Sequence, residues 1–145
     1  MYVPKYFEPY EVVPESVYDI YRQQSHKIWT MFDDRLLITM DNIRKRYGKM
    51  VMNTYHWGGA NQERGWRHEG TPTGAPLSQH KYGRAGDLIP IECSANSIRN
   101  DMLNDPLHPD FIHITCIEMG IPWLHIDTRN FDKLMHGILL VYPSA

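Results

Sequence analysis

The stretch Ser78-Gln-His80-Lys-Tyr-Gly83-Arg-Ala85-Gly86-Asp87, with Trp123-Leu-His125-Ile-Asp127 downstream, decides how this chain is read. His80 and Asp87 stand seven residues apart, and Gly83 and Gly86 between them let the backbone turn. Asp87-Leu-Ile-Pro-Ile-Glu92 then reads as a strand. In 123–127 strict alternation puts Trp123, His125 and Asp127 on one face and Leu124 and Ile126 on the other. A polar face over an apolar underside is where a site can form. Two imidazoles and one carboxylate are a common ligand set for catalytic zinc, with the fourth position left to water. His80, Asp87 and His125 are therefore the candidate metal ligands, and Zn2+ the candidate cofactor.

At 145 residues the chain has the length of one domain, with enough residues for a core. The expected fold is α+β: a small, mainly antiparallel sheet with helices on one side and the zinc site on the other. A formal net charge of −2 gives no basic footprint, so nucleic acid is not an expected partner. No apolar run approaches the ~20 residues of a membrane-crossing helix, and no membrane insertion is expected. Met1-Tyr-Val-Pro-Lys-Tyr-Phe-Glu8 lacks the charged-then-apolar layout of a signal peptide, so synthesis in a cytoplasm without an export signal is expected. Cys93 and Cys116 are too few and too far apart for a disulfide framework and read as buried free thiols.

Working outward, residues 1–14 carry Pro4, Pro9 and Pro14 among Tyr2, Tyr6, Phe7 and Tyr10. That composition predicts an extended arm, packed on its own domain (residues 15–145) or gripping a partner. One or two short helices fit 15–32, the second capped by Ser25. The clearest helix opens at Asp33 or Asp34 and runs to Tyr47, with Leu36, Met40, Ile43 and Tyr47 at helical spacing and Gly48 as its stop. Residues 50–55 read as a strand, and 56–77 as a long, aperiodic loop of the kind that is usually functional. Pro90 in the second strand argues for an edge position or a bulge. Ser94 or Asn96 can cap a helix to about Asn104. Residues 111–118 and 123–128 read as a hairpin with Met119–Pro122 as its loop, and 134–142 as a last strand.

The pattern S-x-H-x-x-G-x-A-x-D followed by W-x-H-x-D resembles the zinc peptidases that include D-Ala-D-Ala carboxypeptidases and L-alanyl-D-glutamate endolysins. Ser78, His80, Gly83, Ala85, Asp87, Trp123, His125 and Asp127 fill every position. The likeness covers about residues 50–130, and its wording is similar to small phage-encoded members. It implies that 15–145 is a zinc peptidase-like domain acting on D-amino-acid-containing peptides, above all the peptidoglycan stem peptide. Such a protein would act in the periplasm or cell wall as an endolysin, or reside in the virion.

Many relatives place a carboxylate three residues before the last zinc histidine, where it takes a proton from the attacking water. Here that position is Pro122. Glu118 is the expected substitute: the proposed hairpin pairs it with Trp123, diagonal to His125, at a Cα separation of ~7–8 Å. Asp127 is the second candidate base. Asp127 and Ser78 also suit the acceptor that a metal-bound imidazole needs for its other N–H, and Ser78 equally suits a turn cap. The same pairing sets Cys116 beside His125, where a thiolate ligand would close the site. Arg67, with Arg64 as alternative, stands where relatives bind a substrate carboxylate or oxyanion. Ser78 and Trp123 complete the expected substrate contacts. The other reading is a phage structural protein that keeps the fold and metal site, docked on particle proteins through residues 1–14.

Overall fold

The computed structural model describes residues 1–143; residues 144 and 145, the end of the expected 15–145 domain, lie outside the described residues. In chain order the helices are α1 (Glu15–Tyr21), α2 (His26–Trp29), α3 (Asp34–Tyr47), α4 (Ala95–Asn104) and α5 (Lys133–His136). The strands are β1 (Met50–Val51), β2 (Ala85–Pro90), β3 (Cys116–Glu118), β4 (Leu124–Asp127) and β5 (Leu139–Val141). They form one sheet of order β1-β2-β4-β3-β5, antiparallel except where β5 runs parallel to β3.

The sheet divides the molecule as the alternation of β4 requires. Leu88, Leu124, Ile126 and Ile117 enter one buried core with Leu36, Met40 and Ile43 of α3 and Ile98 and Met102 of α4. Asp87, His125 and Asp127 are the alternate residues, and they gather on the other side. Helix α3 has the expected bounds: the Asp33 carboxylate accepts from the Arg35 N–H, and Gly48 ends it at φ 89°. Helix α4 is capped by Ser94, which accepts from the Ser97 N–H.

The N-terminal segment is part of the same core rather than a free arm. Phe7, Val12 and Val13 are buried, and Pro9–Glu11 form a 3-10 turn. The buried carboxylate of Asp41 on α3 accepts from the Tyr2 hydroxyl at 2.6 Å and from the backbone N–H groups of Lys5 and Tyr6.

Several local expectations fail for tertiary reasons. The first strand stops at Val51, because the Asn53 N–H is taken by the Glu11 carbonyl of the N-terminal segment. Ser25 has helical backbone angles and makes no side-chain cap, the preceding 3-10 turn Arg22–Gln24 running straight into α2. Gly86 lies within β2, so Gly83 alone makes the turn, at φ 67°. A Cβ on Gly83 would stand 1.9 Å from the Met31 carbonyl oxygen, so the turn presses on the chain entering α3. Pro90 is on an interior strand but lies past the last β4 pair, Leu88 with Leu124, where no ladder bond to β4 is required. Residues 111–113 form a turn and β3 begins only at Cys116, and the buried Lys133 ammonium donates to the carbonyls of Phe111 and Ile112 at 2.8 and 3.2 Å. The expected last strand is split, with α5 at 133–136 and β5 at 139–141.

Candidate metal centre

His80 rides on a 3-10 turn, Gln79–Tyr82, that leads through Gly83 into β2. Its backbone is clamped: the carbonyl accepts from the Arg67 and Gly83 N–H groups at 3.2 and 3.3 Å. Asp87 and His125 are direct partners across the β2–β4 ladder, so one strand pair supplies two members of the cluster. All three side chains are buried, and their ligand atoms lie within 4.8 Å of one another.

The ring nitrogens have defined tasks. His80 Nδ1 is 2.7 Å from the Gly65 carbonyl, which only accepts, so Nδ1 carries the proton. His80 Nε2 is buried with no hydrogen-bond partner among the described residues, 3.3 Å from Asp87 Oδ1. His125 Nε2 is 3.0 Å from Asp127 Oδ2, and its Nδ1 is 2.8 Å from the same Asp87 Oδ1. Two imidazole nitrogens thus converge on one carboxylate oxygen, while each ring's other nitrogen is tied to an acceptor. Outer acceptors of this kind fix the rings of metal-binding histidines. A buried ring nitrogen without a hydrogen-bond partner carries a desolvation cost that a cation bound at the site removes. His80, Asp87 and His125 form a group that can hold a metal ion.

The electrostatics agree. Burial opposes ionisation of Asp87, but His80 and His125 outweigh it and hold the carboxyl well below the usual range. Burial opposes charge on His125 as well, yet Asp127 and Asp87 push its pKa up to about 9. The pocket therefore favours a positive charge between these carboxylates, whether a proton or a metal ion.

The surrounding residues take distinct places. Arg67 Nη2 donates to Asp87 Oδ2 at 3.1 Å and its Nε to the Glu63 carbonyl at 2.6 Å, so Arg67 braces a cluster carboxylate. Arg64 donates to the Met52 carbonyl and lines an adjoining cavity with Arg67, Asp87 and Trp123. Ser78 caps the His80 turn, accepting from the His80 N–H at 3.4 Å, and it also lines the cavity over the cluster. Asp127 is fully buried: Oδ1 and Oδ2 accept from Arg129 at 2.8 and 2.6 Å, and Oδ2 also faces His125. A carboxylate so engaged suits holding His125 better than shuttling protons.

The hairpin is paired two residues away from the expected register, with Cys116 opposite Asp127 and Ile117 opposite Ile126. A two-residue shift preserves the face. Continued by one residue, it sets Glu118 directly opposite His125 rather than diagonal to it. Glu118 lines one cavity with His80, Asp87, Trp123 and His125. Cys116 moves from beside His125 to beside Asp127, and burial pushes its thiol up to about 12. It is not among the cluster's ligands.

Sequence reasoning missed three contributors. Arg129 was legible only as the charge two residues after Asp127. The Gly65 carbonyl left no side-chain signal, although the position itself admits only glycine: a Cβ there would stand 2.1 Å from the Val12 carbonyl oxygen. Arg99 of α4 is buried and donates to the Ile121 and Trp123 carbonyls, both at 2.8 Å, bracing the entry to β4. Compared with protein-family models, with curated proteins and with solved structures, the chain shows no match.

Proposed function

We propose that the chain is a zinc-dependent peptidase acting on peptidoglycan stem peptides, as an endolysin or a virion-associated wall hydrolase. The observation that carries this reading is the convergence of His80 Nε2, His125 Nδ1 and Asp87 Oδ1, the first of these without a hydrogen-bond partner among the described residues. Zinc suits the donor set. Two imidazole nitrogens and a carboxylate oxygen within 4.8 Å of one another match the ligand types that catalytic zinc takes. A zinc ion held there would supply Lewis-acid chemistry, polarising a carbonyl and making water acidic enough to attack at neutral pH.

The chain's own groups divide the remaining work. Glu118, across from His125, takes the proton of the attacking water and returns it to the leaving amine. Arg67, which lines the cavity, donates to the carbonyl oxygen as charge develops on it. Asp127, held by Arg129, keeps the His125 ring in the tautomer that presents Nδ1 to the site. Trp123 and Ser78 border the bound peptide.

The test is incubation of the zinc-loaded protein with purified peptidoglycan, reading released fragments by mass. New amine termini within stem peptides are expected, absent after His125→Ala. Glu118→Gln should keep about one zinc per chain and lose ~10²–10⁴ in kcat. A Glu118→Gln protein as active as the parent would place the base elsewhere. The second reading, a phage particle component without turnover, is favoured by Pro122 at the position where relatives carry the base. Absence of any release from several wall types would support it.

A further inference from the structure

We propose that Asn53 is a positioning residue of the metal centre. Its buried amide sets the register of a strap, residues 64–67, that holds His80 and Asp87 relative to one another. The inference rests on the zinc part of the function proposed above and names what keeps two of the ligands at their separation.

No strand pairing joins His80 to Asp87: His80 stands on the 3-10 turn Gln79–Tyr82 and Asp87 within β2. What they share is the strap, which they grip at neighbouring peptide groups. The Asp87 N–H donates to the Arg64 carbonyl at 2.8 Å, and His80 Nδ1 donates to the Gly65 carbonyl at 2.7 Å. The Arg67 N–H donates to the His80 carbonyl at 3.2 Å, and Arg67 Nη2 to Asp87 Oδ2 at 3.1 Å. A slip of the strap by one residue would carry these groups along by as much as ~3.8 Å. That exceeds the 3.3 Å between His80 Nε2 and Asp87 Oδ1.

The far edge of the strap opposes such a slip. There the Arg64 N–H donates to Asn53 Oδ1 at 3.0 Å, and the Trp66 N–H to the Val12 carbonyl at 2.8 Å. Asn53 is itself anchored in the N-terminal segment. Its Nδ2 donates to the Val13 carbonyl at 3.0 Å and its backbone N–H to the Glu11 carbonyl at 3.1 Å. The side chain is fully buried with both ends of its amide engaged. The position asks for an amide, because one end must accept from an N–H and the other donate to a carbonyl. A carboxylate would set an acceptor against the Val13 carbonyl, and an apolar side chain would leave both partners unpaired. Asn53 touches neither ligand. It acts through Arg64, whose N–H it holds and whose carbonyl holds Asp87.

The experiment measures zinc affinity of the full chain by competition with a chelator, well below the Tm of each protein. Asn53→Ala should bind zinc at least tenfold more weakly than the parent, within the ~10–100-fold that loss of outer contacts costs a metal site. Co2+ bound in place of zinc should show visible bands changed in position or intensity, since those bands report ligand geometry. Should the alanine protein not fold, Asn53→Ser, whose side chain is too short to reach both partners, is read in the same way. Tyr55→Phe is the control. It removes the 2.9 Å bond from the Tyr55 hydroxyl to the same Val13 carbonyl and leaves the strap alone. It should lower the Tm while keeping the parent's zinc affinity and Co2+ spectrum. Parent-like affinity and spectrum in the Asn53 variants would overturn the inference and leave the metal centre and the peptidase reading standing. Equal weakening in Tyr55→Phe would overturn it too, because general loosening would then account for the effect. A parent chain that binds no zinc would overturn both readings.

Discussion

Two buried polar clusters flank strand β4, and they differ in one respect. At its entry, Arg99 spends its donors on the Ile121 and Trp123 carbonyls and the Asn96 side chain, all within the protein. Two residues further on, His125 meets Asp87 and His80, and here His80 Nε2 finds no partner among the described residues. The first cluster is closed by backbone carbonyls and needs nothing from outside. The second turns two rings toward one carboxylate oxygen and leaves a buried ring nitrogen without a hydrogen-bond partner among the described residues. Burial costs polar groups dearly unless they are paired, so the closed cluster reads as a brace and the open one as a site.

Three substitutions would sharpen or break this contrast. The largest effect belongs to His80→Ala, which should reduce bound zinc from about one per chain to background by elemental analysis. A chelator should lower the Tm of the parent, because an ion bound only to the folded state stabilises it. The same chelator should leave the variant's Tm unmoved. Full zinc occupancy in His80→Ala would place the metal elsewhere and dissolve the distinction.

Arg99→Met should act the other way. It leaves two buried carbonyls without donors, at ~1–3 kcal/mol for each unsatisfied group, so urea unfolding of the metal-free protein should lose about 3 kcal/mol. At saturating zinc the stoichiometry should stay near one per chain. Loss of zinc with no loss of stability would make Arg99 part of the site instead of a brace.

The smallest effect is expected from Asp127→Asn. An amide donates to His125 Nε2 where the carboxylate accepted, so the imidazole proton shifts to Nδ1, the nitrogen that faces Asp87. Removal of such an outer acceptor weakens metal binding ~10–100-fold. A competition titration with a zinc chelator reads this directly. Unchanged affinity would mean that Arg129 and Asp127 serve the fold alone.

The three members of the His80, Asp87 and His125 cluster were legible from two local patterns joined by the family resemblance, whereas the pairing of Asp87 with His125, 38 residues apart, belongs to the fold. His80 and Asp87 sit on one turn, and His125 stands on a strand whose period of two declares its face. Helix α3 was legible for the same reason: its apolar spacing, its Asp33 cap and its Gly48 stop all lie within one segment. The hairpin register was not. Composition marks where strands run, but the pairing depends on how Met119 to Trp123 close the connection, and Arg99 from a distant helix holds two carbonyls of that stretch. Glu118 kept the expected face only because the error was an even number of residues.

The sequence by itself determined which side chains form the buried cluster, which face of β4 they occupy and where the main helix begins and ends. The helix bounds and the face of β4 follow from spacing within a dozen residues, and the cluster from ligand chemistry together with the resemblance that joins its two segments. Tertiary structure alone decided that the N-terminal segment joins the core, that β1 is cut short by Glu11, that Arg67 serves Asp87, and that Gly65 supplies the His80 acceptor. Those outcomes depend on which side chains and backbone groups the fold brings into contact. A hydrogen bond between residues far apart in the chain leaves no periodicity for the sequence to display.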